Sequence, residues 1–300
     1  MDKVGVPRSI FYYYYKDFWD PFFKYLKIPY IVSPKTNKKT IEIGSKLASD
    51  EMCLALKIYL GHIEYLKDKC SYILIPRIDN FKIDNQTCTN FLSIYDITKN
   101  LFNIKILNYN IDLEKKETLK KGMYKIGKEL NIKSKDILKA YKYAFEKYQE
   151  QKEKEKINNE KNLKSKKTKI LIASHPYIIY DDLIGKDIIN YLEQNKINVI
   201  FSDKFDEKTT NKLSKEISKD NYFKYSKQNI GALVYAKDKI DGVIFLSAFP
   251  CALDSITNEL AMRKIHKPYI NIVLDDTSSF TGIETRIESF IDMLEGDLTE

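Results

Sequence analysis

Four cysteines in a chain of 300 residues are the side chains best suited to chemistry, and their surroundings set them apart from one another. Cys53 follows "ASDE", where Ser49 or Asp50 is a candidate helix cap and Glu51 falls in the first turn. A thiol at such a terminus has its thiolate favoured by the unpaired amides and the macrodipole; the competing reading is a small core residue beside Met52 and Leu54. Cys88 lies in the polar loop "KIDNQTCTN", where no apolar face accounts for it. Cys251 ends the apolar run "DGVIFLSAFPC", at the strand-to-helix crossing where α/β proteins present their ligand groups. Cys70, directly before "SYILIP", has neither loop nor helix terminus to recommend it and reads as structural. Dedicated cluster motifs concentrate several ligands within a few residues, whereas Cys53, Cys88 and Cys251 are 35 and 163 positions apart. Spacing alone therefore leaves open both a shared metal site and three unconnected thiols.

The elements that must position these residues follow from hydrophobic patterning. Short β-branched runs recur at 3–7, 29–34, 71–78 and 103–109, with helical-length segments between them, and again at 168–176, 198–203, 241–248 and 268–275. Such alternation predicts an α/β fold with parallel sheets covered by helices, in two successive halves. Between the halves, Leu119, Met123, Ile126 and Leu130 form one helical stripe. Ile137, Tyr141, Ala144 and Tyr148 form another, after Ser134 as a candidate N-cap. The predicted organisation is a first α/β domain over 1–112, a helical connector over 113–166 with a basic tail, and a second α/β domain over 167–300. The loops of the halves echo each other: "VPRS" against "SHPY" after the first strand, and the runs into Cys88 and Cys251 after the third. That echo suggests an internal duplication.

The hydrophobic fraction of 43% and charged fraction of 31% fit a soluble globular chain. No uncharged apolar run is long enough for a bilayer, and "MDKVGVPRS" lacks the apolar core of a signal peptide, so a cytoplasmic protein is expected, with no membrane partner. The net charge of +8 owes much to the lysine-rich run at 153–169, which reads as a solvated helix end and linker; no nucleic-acid partner is expected. Neither glycine-rich phosphate fingerprint is present, so ATP hydrolysis is assigned to another protein.

Among the polar candidates, Arg8 and Arg77 offer fixed positive charge for an anionic group, or else form ion pairs. His175, beside Tyr177, is placed to donate a hydrogen bond or carry a proton, or to serve as a structural loop residue. His62 reads as a packing or helix-capping group, and Asp254 and Ser255 as caps of the helix after Cys251.

The blocks "VPRSIFYYYY", "SDEMCLALK", "ILIPRI", "TCTNF", "ASHPYIIYDD", "DGVIFLSAFPCALDS" and "DDTSSFTGIETRIESFIDML" together resemble the 2-hydroxyacyl-CoA dehydratase and benzoyl-CoA reductase iron-sulfur subunits, and among them the activase-related branch. The resemblance implies two Rossmann-like domains with a 4Fe-4S cluster site between them. Cys53, Cys88 and Cys251 are its implied ligands, and one iron is left open. Arg8, Arg77, His175, Tyr177 and Ser255, read from their own positions, are candidates for the surroundings of such a site; no catalytic residue is assigned. The implied function is to take low-potential electrons from an ATP-dependent CoA-substrate-specific activase and use or relay them, alone, as a homodimer or with a second subunit. A component of an acyl-CoA dehydratase or reductase is one form of this. A non-catalytic activase-binding or zinc-binding module is the alternative. Around Cys251, where its relatives commonly carry glycine and proline, the chain has Pro250, Ala252 and Leu253, and Ala55 stands where a proline is expected after Cys53.

Overall fold

A computed structural model describes residues 2–81, 84–277 and 280–296. The chain divides into two compact units, one made of residues up to Lys152 with Tyr222–Lys224, the other of Glu153–Asn221 with the residues from Tyr225 onward.

The first unit contains β1 (Val4–Val6), α1 (Phe11–Tyr25), β2 (Tyr30–Val32), α2 (Lys38–Leu47), α3 (Leu54–Leu66), β3 (Tyr72–Leu74), β4 (Arg77–Asn80), α4 (Thr89–Leu101), β5 (Ile106–Leu107), β6 (Asn110–Asp112), α5 (Leu119–Glu129) and the start of α6 (Ser134–Leu163). Its main sheet is parallel, in the order β2-β1-β3-β5, and β4 pairs with β6 in a small second sheet. The run at 71–78, expected as one strand, is therefore two. Pro76 sits at the break, where a residue without an N–H cannot continue a ladder. The aromatic face of α1 supplies much of the core: Phe18, Phe22 and Phe23 are fully buried, and Phe18 meets Tyr141 of α6 edge-on at 5.6 Å. Ser134 is the first residue of α6 rather than its cap, and its hydroxyl lies 2.8 Å from that of Tyr124.

Helices α2 and α3 cross at glycine. A Cβ on Gly44 would lie 1.7 Å from the carbonyl oxygen of Lys57, and one on Gly61 would lie 2.1 Å from that of Thr40. Only residues without a side chain permit this approach, which fixes the helix that begins after Cys53.

The second unit contains the remainder of α6, β7 (Lys169–Ala173), α7 (Pro176–Ile179), α8 (Lys186–Gln194), β8 (Asn198–Phe201), α9 (Glu207–Leu213), α10 (Lys224–Ala236), whose first residue belongs to the first unit, β9 (Gly242–Ala248), α11 (Ala252–Lys264), β10 (Tyr269–Leu274) and α12 (Phe280–Gly296). The sheet is again parallel, ordered β10-β9-β7-β8. All seven residues of β9 are buried, as expected for an apolar run covered on both faces. Read from each half's own first strand, both sheets have the order second, first, third, fourth, as the echoing loops suggested.

The lysine-rich run is helical through Leu163, and one face of it is engaged. Asn159 is 2% exposed; its side chain accepts from the Phe201 amide at 2.8 Å and donates to the Phe201 carbonyl at 3.1 Å. It thereby occupies backbone groups that the edge strand β8 would otherwise leave unpaired. Glu155 holds Lys204 at 2.6 Å, and Lys204 also lies 3.3 Å from Asp203. Burial pulls the Lys204 ammonium pKa down, but the two carboxylates outweigh it and the net shift is upward. Among the described residues, no helix is long and apolar enough to cross a membrane.

Candidate functional site

Three of the four cysteines occupy one kind of position. Cys53, Cys88 and Cys251 are the N-cap residues of α3, α4 and α11, each part-exposed and in extended backbone conformation. Patterning had placed Ser49 or Asp50 as the cap before Cys53. Instead Met52 N–H donates to the Ser49 carbonyl at 3.0 Å in a turn, and the helix starts one turn later, with Cys53 at its end. Unpaired amides and the macrodipole at such termini favour negative charge. Cys70 differs: its thiol donates to the Leu66 carbonyl at 3.2 Å, and burial pushes its pKa up against a hydrogen bond from the Gly5 backbone.

In the first unit, Cys53 and the helix capped by Cys88 meet. The amide of Asn90, two residues after Cys88, donates to Cys53 Sγ at 3.7 Å. The Cys88 loop is fixed by Thr87, whose N–H donates to the Asp79 carbonyl at 2.8 Å and whose hydroxyl donates to the Ile78 carbonyl at 2.5 Å. Arg8 follows β1 and is bound to the turn after β2: its N–H donates to Ser33 Oγ at 2.7 Å and its Nε to the Ser33 carbonyl at 3.1 Å. Arg77 is committed to α4, through an ion pair with Asp96 and a bond from Nε to the Leu92 carbonyl at 3.2 Å. The open cleft beside it, about 580 Å³, is edged by Asp79, Asp96, Asp112 and Glu117. Four carboxylates against Arg77 and Lys115 make it a poor seat for an anionic phosphate. His62, on α3, is 1% exposed and meets Thr36 Oγ1 at 3.1 Å. Burial, helped by the Arg8 charge, lowers its pKa to about 3, so it is neutral.

In the second unit, Cys251 Sγ accepts the Asp254 N–H at 3.5 Å. The Asp254 side chain, expected to cap α11, turns instead to His175 at the end of β7, with Oδ1 2.8 Å from Nε2. Both side chains are buried, and Nδ1 of His175 and Oδ2 of Asp254 have no hydrogen-bond partner among the described residues. Tyr177 stacks on the imidazole at 4.9 Å, and Tyr225 meets it edge-on at 4.8 Å. A carboxylate thus orients an imidazole directly behind the amide that faces Cys251. Ser255 is exposed, and its hydroxyl donates to the Cys251 carbonyl at 2.9 Å, which closes the first turn of α11. In the segment "DDTSSFTG", Ser278 and Ser279 lie outside the described residues.

The donor chemistry fits an iron-sulfur cluster: thiols at helix N-termini, one of which, Cys53, accepts from Asn90 on the helix that Cys88 caps. A gathered ligand set is a separate matter. Among the described residues, no group of three His, Cys, Asp or Glu side chains is assembled for a metal ion. Patterning missed Asn90, the pairing of Asp254 with His175, and Tyr225. Each acts through a partner distant in sequence.

Compared with curated proteins, the chain matches none. Residues 3–205, about two-thirds of the chain, match the family described as "CoA enzyme activase uncharacterised domain (DUF2229)". The match spans Cys53, Cys88, Arg8, Arg77, His175 and Tyr177, whereas Cys251, Asp254 and Ser255 lie beyond it. With its parallel α/β units and a match over most of its length, the chain belongs to this CoA enzyme activase domain family.

Proposed function

We propose that the chain is a 4Fe-4S protein of the kind formed by 2-hydroxyacyl-CoA dehydratase and benzoyl-CoA reductase subunits, receiving low-potential electrons from an ATP-dependent activase. The observation that carries this reading is that Cys53, Cys88 and Cys251, and not Cys70, each cap a helix N-terminus. The family's description, a CoA enzyme activase domain, supports the choice of partner. The bound cluster would supply one-electron chemistry at the iron that has no protein thiolate.

The chain's own residues would act on the thiolates. The Asn90 amide donates to Cys53 and the Asp254 N–H to Cys251, contacts that favour sulfur in its anionic, metal-binding form. His175 holds the Asp254 carboxylate away from the Cys251 thiolate, so that the amide rather than a like charge faces the sulfur.

Anaerobic reconstitution of the full chain with iron and sulfide, followed by metal analysis and EPR, tests the reading. About four irons per chain are expected. Cys70→Ser should retain them, and substitution of Cys53, Cys88 and Cys251 together should abolish them. A triple variant that still holds the same iron would overturn the ligand set. Zinc in place of iron in anaerobically purified protein would overturn the redox role.

A further inference from the structure

The loop that ends in Cys88 is held by backbone on two sides. Gln86 forms an antiparallel bridge to Asn80 of β4. On the other side its N–H donates to the Tyr222 carbonyl at 2.8 Å and its carbonyl accepts from Lys224 N–H at 3.0 Å, around a parallel bridge to Phe223. Residues 222–224 therefore form a short strap within the first unit, although the chain on either side of them belongs to the second. The Lys224 side chain anchors the strap. It is 2% exposed, and its ammonium lies 4.2 Å from the ring centroid of Phe81 and 5.1 Å from that of Tyr14. Phe81 belongs to the Cys88 loop itself, its N–H donating to the Asn85 carbonyl at 2.9 Å. A desolvated ammonium against two aromatic faces is a strong contact that neither ring alone would replace. The next residue, Tyr225, is buried in the second unit against His175, which pairs with Asp254 behind Cys251.

We propose that residues 222–225 are a positioning strap for the cysteine-bearing loops: Lys224 fixes the Cys88 loop through Phe81 and Gln86, and Tyr225 fixes the His175–Asp254 pair that supports Cys251. Two adjacent residues, one anchored in each unit, thereby set the presentation of thiols carried by two different helices. The idea builds on the reading of Cys88 and Cys251 as ligands, but its test requires no metal.

The full-length chain, reduced and stripped of metal, is alkylated with isotope-coded iodoacetamide, and each cysteine's rate is read by peptide mass spectrometry. Lys224→Met keeps the aliphatic stem and removes the charge; Lys224→Arg keeps a cation over the rings. In Lys224→Met, Cys88 is expected to react about tenfold faster relative to Cys70, and Lys224→Arg should stay near the wild-type rate. Phe81→Leu carries the same expectation as Lys224→Met should that variant fail to fold. In Tyr225→Ala, Cys251 is the thiol that accelerates. Unchanged Cys88 rates in folded Lys224→Met or Phe81→Leu would overturn the proposal, as would equal acceleration of all four cysteines, Cys70 included. An unchanged Cys251 rate in Tyr225→Ala would overturn the Tyr225 half. Iron incorporation is not part of the readout, so failure of the strap and failure of the cluster reading are separate results.

Discussion

Acidification from pH 7 to pH 5 is expected to weaken the first unit through one residue, His62. Its imidazole is 1% exposed, and burial together with the Arg8 charge depresses its pKa from 6.5 to about 3. In the unfolded chain the same group titrates near 6.5. Between those values the unfolded state binds a proton that the folded state refuses, so stability rises with pH across the interval. The contribution is fully present above pH 6.5 and is lost as the pH falls toward 3. At about 1.4 kcal/mol per pH unit, the loss between pH 6.5 and pH 5 is about 2 kcal/mol. Trp19, the sole tryptophan, is 3% exposed in the first unit and bonded to Tyr109 Oη at 3.2 Å, so its fluorescence reports on that unit. Urea unfolding at both pH values is compared between wild type and His62→Gln, which can still bond Thr36 but does not titrate. Wild type should lose about 2 kcal/mol more than the variant on acidification. Equal losses would refute the assignment of a buried neutral imidazole.

Two further outcomes follow from close packing and buried charge. Gly61→Ala drives a methyl group into the Thr40 carbonyl at the crossing of α2 and α3 and should cost about 3 kcal/mol, seen as a lowered melting temperature; an unchanged melt would mean that the helices slide apart without strain. Glu155→Gln removes one carboxylate from the mostly buried Lys204 and should cost about 2 kcal/mol in chemical denaturation, less than a fully broken buried pair because Asp203 stays within 3.3 Å; a loss near zero would show that Asp203 alone suffices.

The strands were legible because parallel sheets covered on both faces demand continuous apolar runs, and β7 and β9 are such runs. The small β4–β6 sheet was not, since "RIDN" and "NID" are short and mostly polar and pair over a long sequence gap. The thiols were recognisable as candidates, but their common position was not, because cysteine is no standard capping residue and carries no N-cap signal. At Asp254 the local rule pointed to a cap, and a long-range partner, His175, took the side chain instead. The strap at 222–224 has no signature at all: "NYFKY" reads as ordinary loop, and its meaning comes from Gln86 and Phe81, more than a hundred residues away.

The helix α6 runs unbroken from Ser134 to Leu163, through the point where the chain passes from one unit to the other. Its final turns lend the edge strand β8 a neighbour made of side chains: Asn159 occupies both the N–H and the carbonyl of Phe201, and Asn162 reaches the Val199 carbonyl at 3.5 Å. A fragment of the second unit begun at Lys167, where composition suggests a linker ends, would discard that neighbour and uncover a parallel edge ready to recruit another chain. A fragment begun ahead of Glu155 would carry its own guard against self-association.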